Sequence, residues 1–120
     1  NLSFASFIQV NFDKSIMMNS NLSFGTFSES SFIRANLYES ILTGANFELS
    51  NFSSANLTRV DFMGSTLIDV NFQNSNLMEA NFTSSNILNA NFDGSNLIGA
   101  VWTNGEVCGP DSIGVCNKIN

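Results

Sequence analysis

Two cysteines, Cys108 and Cys116, are the residues whose type and spacing most clearly suggest chemistry. They are separated by a segment that contains Gly-Pro-Asp, and this spacing allows a short loop closed by a disulfide. A zinc site needs four ligands, and the sequence contains no histidine. A redox pair usually has Cys-x-x-Cys spacing ahead of a helix. The sequence therefore favours a structural disulfide over these two alternatives.

The other reactive side chains do not combine into a catalytic group. Without histidine, a nucleophile could be activated only by a lysine or a carboxylate. The ten acidic residues lie singly along the chain, and there are only four lysines and arginines. We therefore predict that the protein is not an enzyme, and we expect no metal ion and no cofactor.

The composition excludes further classes of protein. The 120 residues are 43% hydrophobic and 12% charged, with a formal net charge of −6. This charge argues against a generally basic nucleic-acid binder, and no apolar run is long enough for a membrane span. Because the sequence begins with Asn rather than Met, we expect it to be part of a longer product.

A repeat of five residues runs from Leu2 to Trp102. Every fifth residue is large and apolar at all 21 positions, and ten of the 12 phenylalanines lie in this column. The residue two places earlier is Ala, Ser, Val or Gly at every position from Ala5 to Ala100. The residue directly before the large one is mostly Asn, which we interpret as a corner-forming residue because Asn tolerates tight turns.

The elements that carry this repeat must turn a corner every five residues. A helix would spread the large column around its surface, and a flat strand would expose every second large residue. Four sides of five residues close a square coil, so the chain should form about five coils of an all-β solenoid. Large residues 20 apart then stack as the structural core, with Trp102 ending the column opposite the phenylalanines Phe12, Phe32, Phe52, Phe72 and Phe92.

The segments ANLTR, ANFTS, SNLME, ANFDG and SNLIG carry a clear resemblance. The sequence closely resembles the pentapeptide repeat family, whose motif is a small residue, Asn or Asp, Leu or Phe, and two variable positions. The resemblance covers residues 1–104 without an insertion. It implies a right-handed quadrilateral β-helix, and handedness is carried over from the family.

Residues 105–120 form a tail that departs from the repeat. From Trp102 to Cys116 the sequence resembles the W-x-x-G-x-x-C and S-x-G-x-C ending of some pentapeptide repeat proteins from photosynthetic bacteria and chloroplasts. In those members the cysteines form a disulfide bracket, so we expect the tail to cap the rod end. A lasting disulfide implies an oxidising compartment, either the periplasm, the thylakoid lumen or the exterior, with a cytoplasmic location as the alternative.

The side chains that point outward from the coil are the ones that could carry a binding function. Two outward stripes mix acids with exposed aliphatic or aromatic side chains, a composition that suits a protein-binding surface. Scattered apolar residues are also normal on any surface, so an inert surface is the alternative. The candidate interaction surface comprises Glu29, Glu48, Leu49 and Asp69 from the first stripe and Tyr38, Met78 and Glu79 from the second.

We predict a non-catalytic scaffold that binds an unknown protein partner, without nucleic acid and without membrane insertion. The resemblance also implies an alternative, because some family members mimic duplex DNA and interact with DNA gyrase or a topoisomerase. The modest charge and the cysteine tail argue against it, and a partial Ser/Thr ladder makes ice binding a third, weaker option. We expect a monomer, although Phe4 and Phe24 should stack near the start and could mediate end-to-end contact.

Overall fold

The chain winds into a coil whose repeat is 20 residues. The computed structural model describes residues 1–118. Sixteen parallel β-bridges join residues 20 apart, from Ser6–Thr26 to Asn81–Val101. Each bridge is isolated, and residues 1–118 contain no helix, hence none that could cross a membrane, and no extended strand. The expected all-β quadrilateral β-helix is confirmed, and its longest dimension is 40 Å against 26 and 23 Å across.

Each side of the coil has five positions with separate roles. We name them from the side 35–39 as the small position (Ala35), the Asn position (Asn36), the large position (Leu37), the first turn position (Tyr38) and the second turn position (Glu39). Coils 1 to 5 comprise residues 1–20, 21–40, 41–60, 61–80 and 81–100.

The five consecutive residues 51–55, here taken from an Asn position to the next small position, show how the backbone donors of one side are satisfied. Phe52 N–H donates to the Asn71 carbonyl of the next coil at 2.7 Å, and Asn51 N–H donates to the Ser30 carbonyl of the previous coil at 3.0 Å. The Ser54 and Ala55 amides bond Gln73 and Phe52 at 2.9 and 3.1 Å. Only the first turn position, Ser53, has no carbonyl partner among these bonds. Its N–H donates instead to Oδ1 of Asn51 at 2.9 Å, so every amide of this side is paired.

The corners are formed by the second turn position rather than by Asn. At every second turn position from residue 4 to residue 99 the backbone is left-handed, with φ between 56° and 73°. Four of these residues are glycine and the other sixteen are not. Asn thus serves the corner through its side chain, which bonds the nearby corner backbone, while the residue three places later adopts the left-handed conformation.

The core is a set of stacked columns, as the period predicts. The rings of Phe32 and Phe52 stack with centroids 4.6 Å apart, and those of Phe52 and Phe72 at 5.5 Å. These three side chains are fully buried. Phe12, Phe92 and Trp102 also pack on the core but are half-buried, because they lie towards the ends of the stack.

Serine replaces alanine at many small positions, and its hydroxyl generally finds a backbone acceptor, with Ser15 as an exception. Ser65 Oγ donates to the Phe62 carbonyl at 2.6 Å, and Ser50 Oγ donates to the Phe27 carbonyl at 2.8 Å. A buried hydroxyl without such a partner would destabilise the core.

The tail folds back across the last coil. The amides of Leu97 and Gly99 donate to the carbonyls of Ser112 and Cys108 at 2.8 and 2.9 Å, and Cys108 N–H donates to the Ala100 carbonyl at 2.8 Å. Cys108 is buried and forms the predicted disulfide with Cys116. These bonds pair backbone groups that the fifth coil would otherwise leave open, and the disulfide fits an oxidising compartment.

Candidate interaction surfaces

The turn positions present their side chains in four stripes along the rod. We name the stripes by their charge: the acidic–aliphatic stripe (8–9, 28–29, 48–49, 68–69, 88–89), the mixed stripe (13–14, 33–34, 53–54, 73–74, 93–94), the arginine stripe (18–19, 38–39, 58–59, 78–79, 98–99) and the uncharged stripe (3–4, 23–24, 43–44, 63–64, 83–84, 103–104). Side chains 20 residues apart touch within a stripe: Gln9 Nε2 donates to Glu29 Oε2 at 3.0 Å.

The predicted interaction residues do not form one surface. Glu29, Glu48, Leu49 and Asp69 lie on the acidic–aliphatic stripe. Tyr38, Met78 and Glu79 lie on the arginine stripe, half a coil further along the chain. Half of a square coil separates opposite corners, so these two groups face opposite directions and could not contact a single small partner together.

On the arginine stripe, one arginine pairs with both acids and offsets one of their two charges. Arg59 bonds Glu79 through Nε at 2.6 Å and Glu39 through one terminal nitrogen at 3.3 Å. The same nitrogen lies 3.3 Å from the Tyr38 hydroxyl. The hydrogen bond that Arg59 donates to Glu79, and then the one that it donates to Glu39, raises the pKa of Arg59 further above its ordinary value. Glu39, Arg59 and Glu79 are spaced at intervals of 20 residues, so the sequence already indicated that the arginine lies between the two acids. The choice of candidate interaction residues did not take this spacing into account.

The acidic–aliphatic stripe retains its charge. Within the described part of the chain, Glu29, Glu48 and Asp69 take part in no ion pair. Three aliphatic side chains on this stripe are largely exposed: Ile8 at 55%, Leu49 at 55% and Leu88 at 60%. The stripe therefore combines unpaired carboxylates in coils 2 to 4 with accessible apolar groups in coils 1, 3 and 5.

The uncharged stripe carries the aromatic pair expected near the start. The Phe4 and Phe24 rings stack with centroids 5.4 Å apart, and both side chains are exposed. The Phe24 ring also covers Gly44, where a Cβ atom would lie 2.5 Å from a ring carbon. The stack thus requires glycine at the next position along the stripe.

A polar contact on the mixed stripe was missed by sequence reasoning. Asp13 Oδ1 accepts a hydrogen bond from the Ile33 amide of the next coil at 2.9 Å and another from the Ser31 hydroxyl. Ser31 stands where most sides have Asn, so Asp13 supplies the acceptor that Asn would give to the first turn amide. It is a structural carboxylate.

The described residues offer no other kind of site. Residues 1–118 contain no cluster of potential metal ligands and no pocket.

The geometry defines a class of protein, a solenoid of stacked square β-coils whose outward corners carry variable residues. The family model for pentapeptide repeats matches residues 1–32, 30–67 and 61–101, with eight copies. The chain therefore belongs to the pentapeptide repeat family, whose members are generally non-catalytic structural folds.

Solved structures of the family share the fold. HetL, a pentapeptide repeat protein involved in heterocyst differentiation regulation in the cyanobacterium Nostoc sp. strain PCC 7120, is similar with a TM-score of 0.69 and 19% identity, over 88% of this chain and 59% of HetL. Rfr23, a pentapeptide repeat protein from the cyanobacterium Cyanothece 51142, is similar with a TM-score of 0.63 and 23% sequence identity, over 79% of this chain and 75% of Rfr23.

A trypsin-treated form of QnrB1, a plasmid-mediated fluoroquinolone resistance protein, gives a TM-score of 0.63 at 25% identity, over 75% of this chain and 46% of QnrB1. The chain therefore spans less than two thirds of HetL and of this QnrB1. No curated protein shows significant sequence similarity to the chain.

Proposed function

We propose that the protein is a non-catalytic scaffold that binds another protein through its acidic–aliphatic stripe. The observation that carries this proposal is the contrast between opposite corners: Arg59 pairs the acids of the arginine stripe, whereas Glu29, Glu48 and Asp69 are unpaired beside exposed Leu49. Exposed apolar groups among uncompensated charges are typical of recognition surfaces.

The backbone supports this function by holding the stripe in one shape. At each corner the amides of the large and second turn positions donate to the next coil. The Asn side chain accepts the first turn amide that lies between them. A partner that binds such a surface does not have to order it first, which reduces the entropic cost of association.

The test is a photo-crosslinking residue placed at one first turn position in each stripe: Ser28, Gln73, Met78 and Met63. We expect a discrete protein adduct at Ser28 that unlabelled protein competes away, with little adduct at the other three sites. Absence of a competed adduct at all four positions, in extract from the native compartment, would contradict the scaffold function.

We also propose that the protein works in an oxidising compartment, the periplasm or the thylakoid lumen. The Cys108–Cys116 disulfide supports this placement. Fractionation with an antibody is the direct measurement. Recovery of the protein only in the cytoplasm, with reduced thiols, would establish the cytoplasmic alternative.

The alternative function, mimicry of DNA towards DNA gyrase or a topoisomerase, is what the family resemblance implies, and the 25% identity to QnrB1, a fluoroquinolone resistance protein, is compatible with it. The charge distribution favours the scaffold instead. Duplex DNA is negative on all sides, whereas the mixed stripe balances Asp13 and Asp93 against Lys14 and Arg34, and the uncharged stripe has no ionisable turn residue. A gyrase supercoiling assay decides between them: inhibition or drug protection at micromolar protein would favour mimicry.

A further inference from the structure

Leu49 lies at the centre of an unusual arrangement on the acidic–aliphatic stripe. It occupies a second turn position, and the residues stacked directly before and after it in that column are Glu29 and Asp69. The Gln9–Glu29 hydrogen bond shows that side chains in this column reach one another. An exposed leucine is thus held between two carboxylates that have no cation of their own.

Over the whole stripe, the most exposed aliphatic side chains belong to alternate coils. Ile8, Leu49 and Leu88 come from coils 1, 3 and 5, while Glu29 and Asp69 come from coils 2 and 4. Paired β segments are about 4.8 Å apart, so successive aliphatic groups are separated by about 9.6 Å along the rod. The exposed aliphatic groups thus lie in coils 1, 3 and 5 and the acids of the second turn position in coils 2 and 4, over a length of about 19 Å, with Glu48 beside Leu49 in coil 3.

This spacing matches an α-helix better than an extended peptide. Residues seven apart on a helix are separated by about 10.5 Å, so positions i, i+7 and i+14 of a helix that follows the rod stay within about 2 Å of aliphatic groups that repeat at about 9.6 Å. Alternate residues of an extended strand repeat at about 6.7 Å and fall out of step with the stripe. Helix positions i, i+7 and i+14 would then face Ile8, Leu49 and Leu88.

The charge of the partner follows from the acids between these groups. Helix positions i+3 or i+4 and i+10 or i+11 would face Glu29 and Asp69. The four basic residues of the chain lie elsewhere: Lys14 and Arg34 on the mixed stripe, Arg59 on the arginine stripe, and Lys118 in the tail beside Glu106. The carboxylates of this stripe therefore remain available to cations that a partner supplies.

We propose that the acidic–aliphatic stripe binds one face of a basic amphipathic helix of another protein, with apolar residues at intervals of seven and Lys or Arg between them. The inference rests on the proposed scaffold function and names the partner of the same surface. Binding buries Leu49 between two aliphatic side chains of the helix and pairs Glu29 and Asp69 with its cations.

The test uses a fluorescent 21-residue helical peptide with Leu at i, i+7 and i+14 and Arg at i+3, i+4, i+10 and i+11. Anisotropy should report saturable binding to the protein that weakens as salt is raised. A peptide of the same composition, with the leucines moved off this spacing, should bind at least about tenfold more weakly.

Matched variants separate specific docking from general charge attraction. Glu29→Gln with Asp69→Asn, and separately Leu49→Asn, should each weaken binding about tenfold or more. Glu39→Gln with Glu79→Gln changes the net charge equally but lies on the arginine stripe, and it should change binding by less than about twofold. Unchanged thermal unfolding of each variant is the control for folding.

Three results would overturn the inference: no binding of the peptide at millimolar protein, equal binding of the rearranged peptide, or equal losses in the two double variants. If the peptide fails while a competed crosslink forms at Ser28, the proposed function stands and only the helical partner is wrong; a competed crosslink only at the other positions would contradict the choice of stripe. If crosslinking also fails at all four positions, both proposals fall.

Discussion

Thirteen asparagines hold the turns of this coil through one kind of hydrogen bond. Each accepts, through Oδ1, the amide proton of the residue two places later. The composition predicted a role in turns, but not which residue becomes left-handed. At that position the chain places Glu, Lys, Arg, Phe and Leu as well as glycine, so residue type carries little signal there.

Replacement of Asn71 tests the value of the side-chain acceptor. Its Oδ1 accepts the Gln73 amide at 2.8 Å. Asn71→Ala leaves that amide without a protein partner and should lower the free energy of unfolding by about 1 kcal/mol. Asn71→Asp keeps the acceptor, as Asp61 does for Met63 at 2.9 Å. Urea denaturation compares the variants, and equal losses for Ala and Asp would contradict this role.

The glycines Gly44 and Gly64 allow a matched test of the aromatic stack. Both have left-handed backbones, with φ of 65° and 67°. A Cβ at Gly64 meets nothing within 4 Å, whereas a Cβ at Gly44 falls 2.5 Å from the Phe24 ring. Gly64→Ala should destabilise by about 1–2 kcal/mol from backbone strain alone, and Gly44→Ala by more. Adding Phe24→Ala should remove the excess in thermal denaturation; an excess that persists would refute the ring contact.

At the scale of the coil, identical repeats produce unequal burial. The pattern predicts that Phe12, Phe32, Phe52, Phe72 and Phe92 share one column, and the ring stacking shows that they do. It does not predict that the end members are half-buried, since a repeat has no information about its position in the stack. Burial depends on having a neighbouring coil on both sides.

Truncation of two phenylalanines measures this gradient. Phe52 is fully buried between Phe32 and Phe72, so Phe52→Ala should cost about 3–5 kcal/mol. Phe12 is half-buried in coil 1, and Phe12→Ala should cost about 1–2 kcal/mol. Chemical denaturation of both variants provides the comparison. Equal costs would mean that the coils do not differ in burial.

The tail should lose its order when the disulfide is opened. The bond joins residues separated by 8 positions, so its removal should cost about 2–3 kcal/mol through the entropy of the open loop. Hydrogen exchange should accelerate at the Gly99 and Cys108 amides, which bond across the tail. Intact-mass analysis after alkylation should show no adduct on native protein and two after reduction; two adducts without reduction would contradict the disulfide.

At the scale of the whole molecule, the period of 20 turns a linear sequence into four surfaces of different character. The membership of each stripe was predictable, because it requires only counting. The pairing of Glu39 and Glu79 by Arg59 was not, because it depends on side-chain directions and lengths within the stack. Glu79 and Glu29 therefore look equivalent in the sequence, although one carboxylate is paired with Arg59 and the other has no ion pair.

The coil register underlies every surface described, and NMR scalar couplings across hydrogen bonds measure it directly. The account predicts a coupling between the Phe52 amide nitrogen and the Asn71 carbonyl carbon, and another between the Asn71 nitrogen and the Ser50 carbon. Corresponding pairs should recur every five residues along the rod. Couplings that connect these amides to carbonyls at other separations would mean that the stripes, and the binding face assigned to them, do not exist.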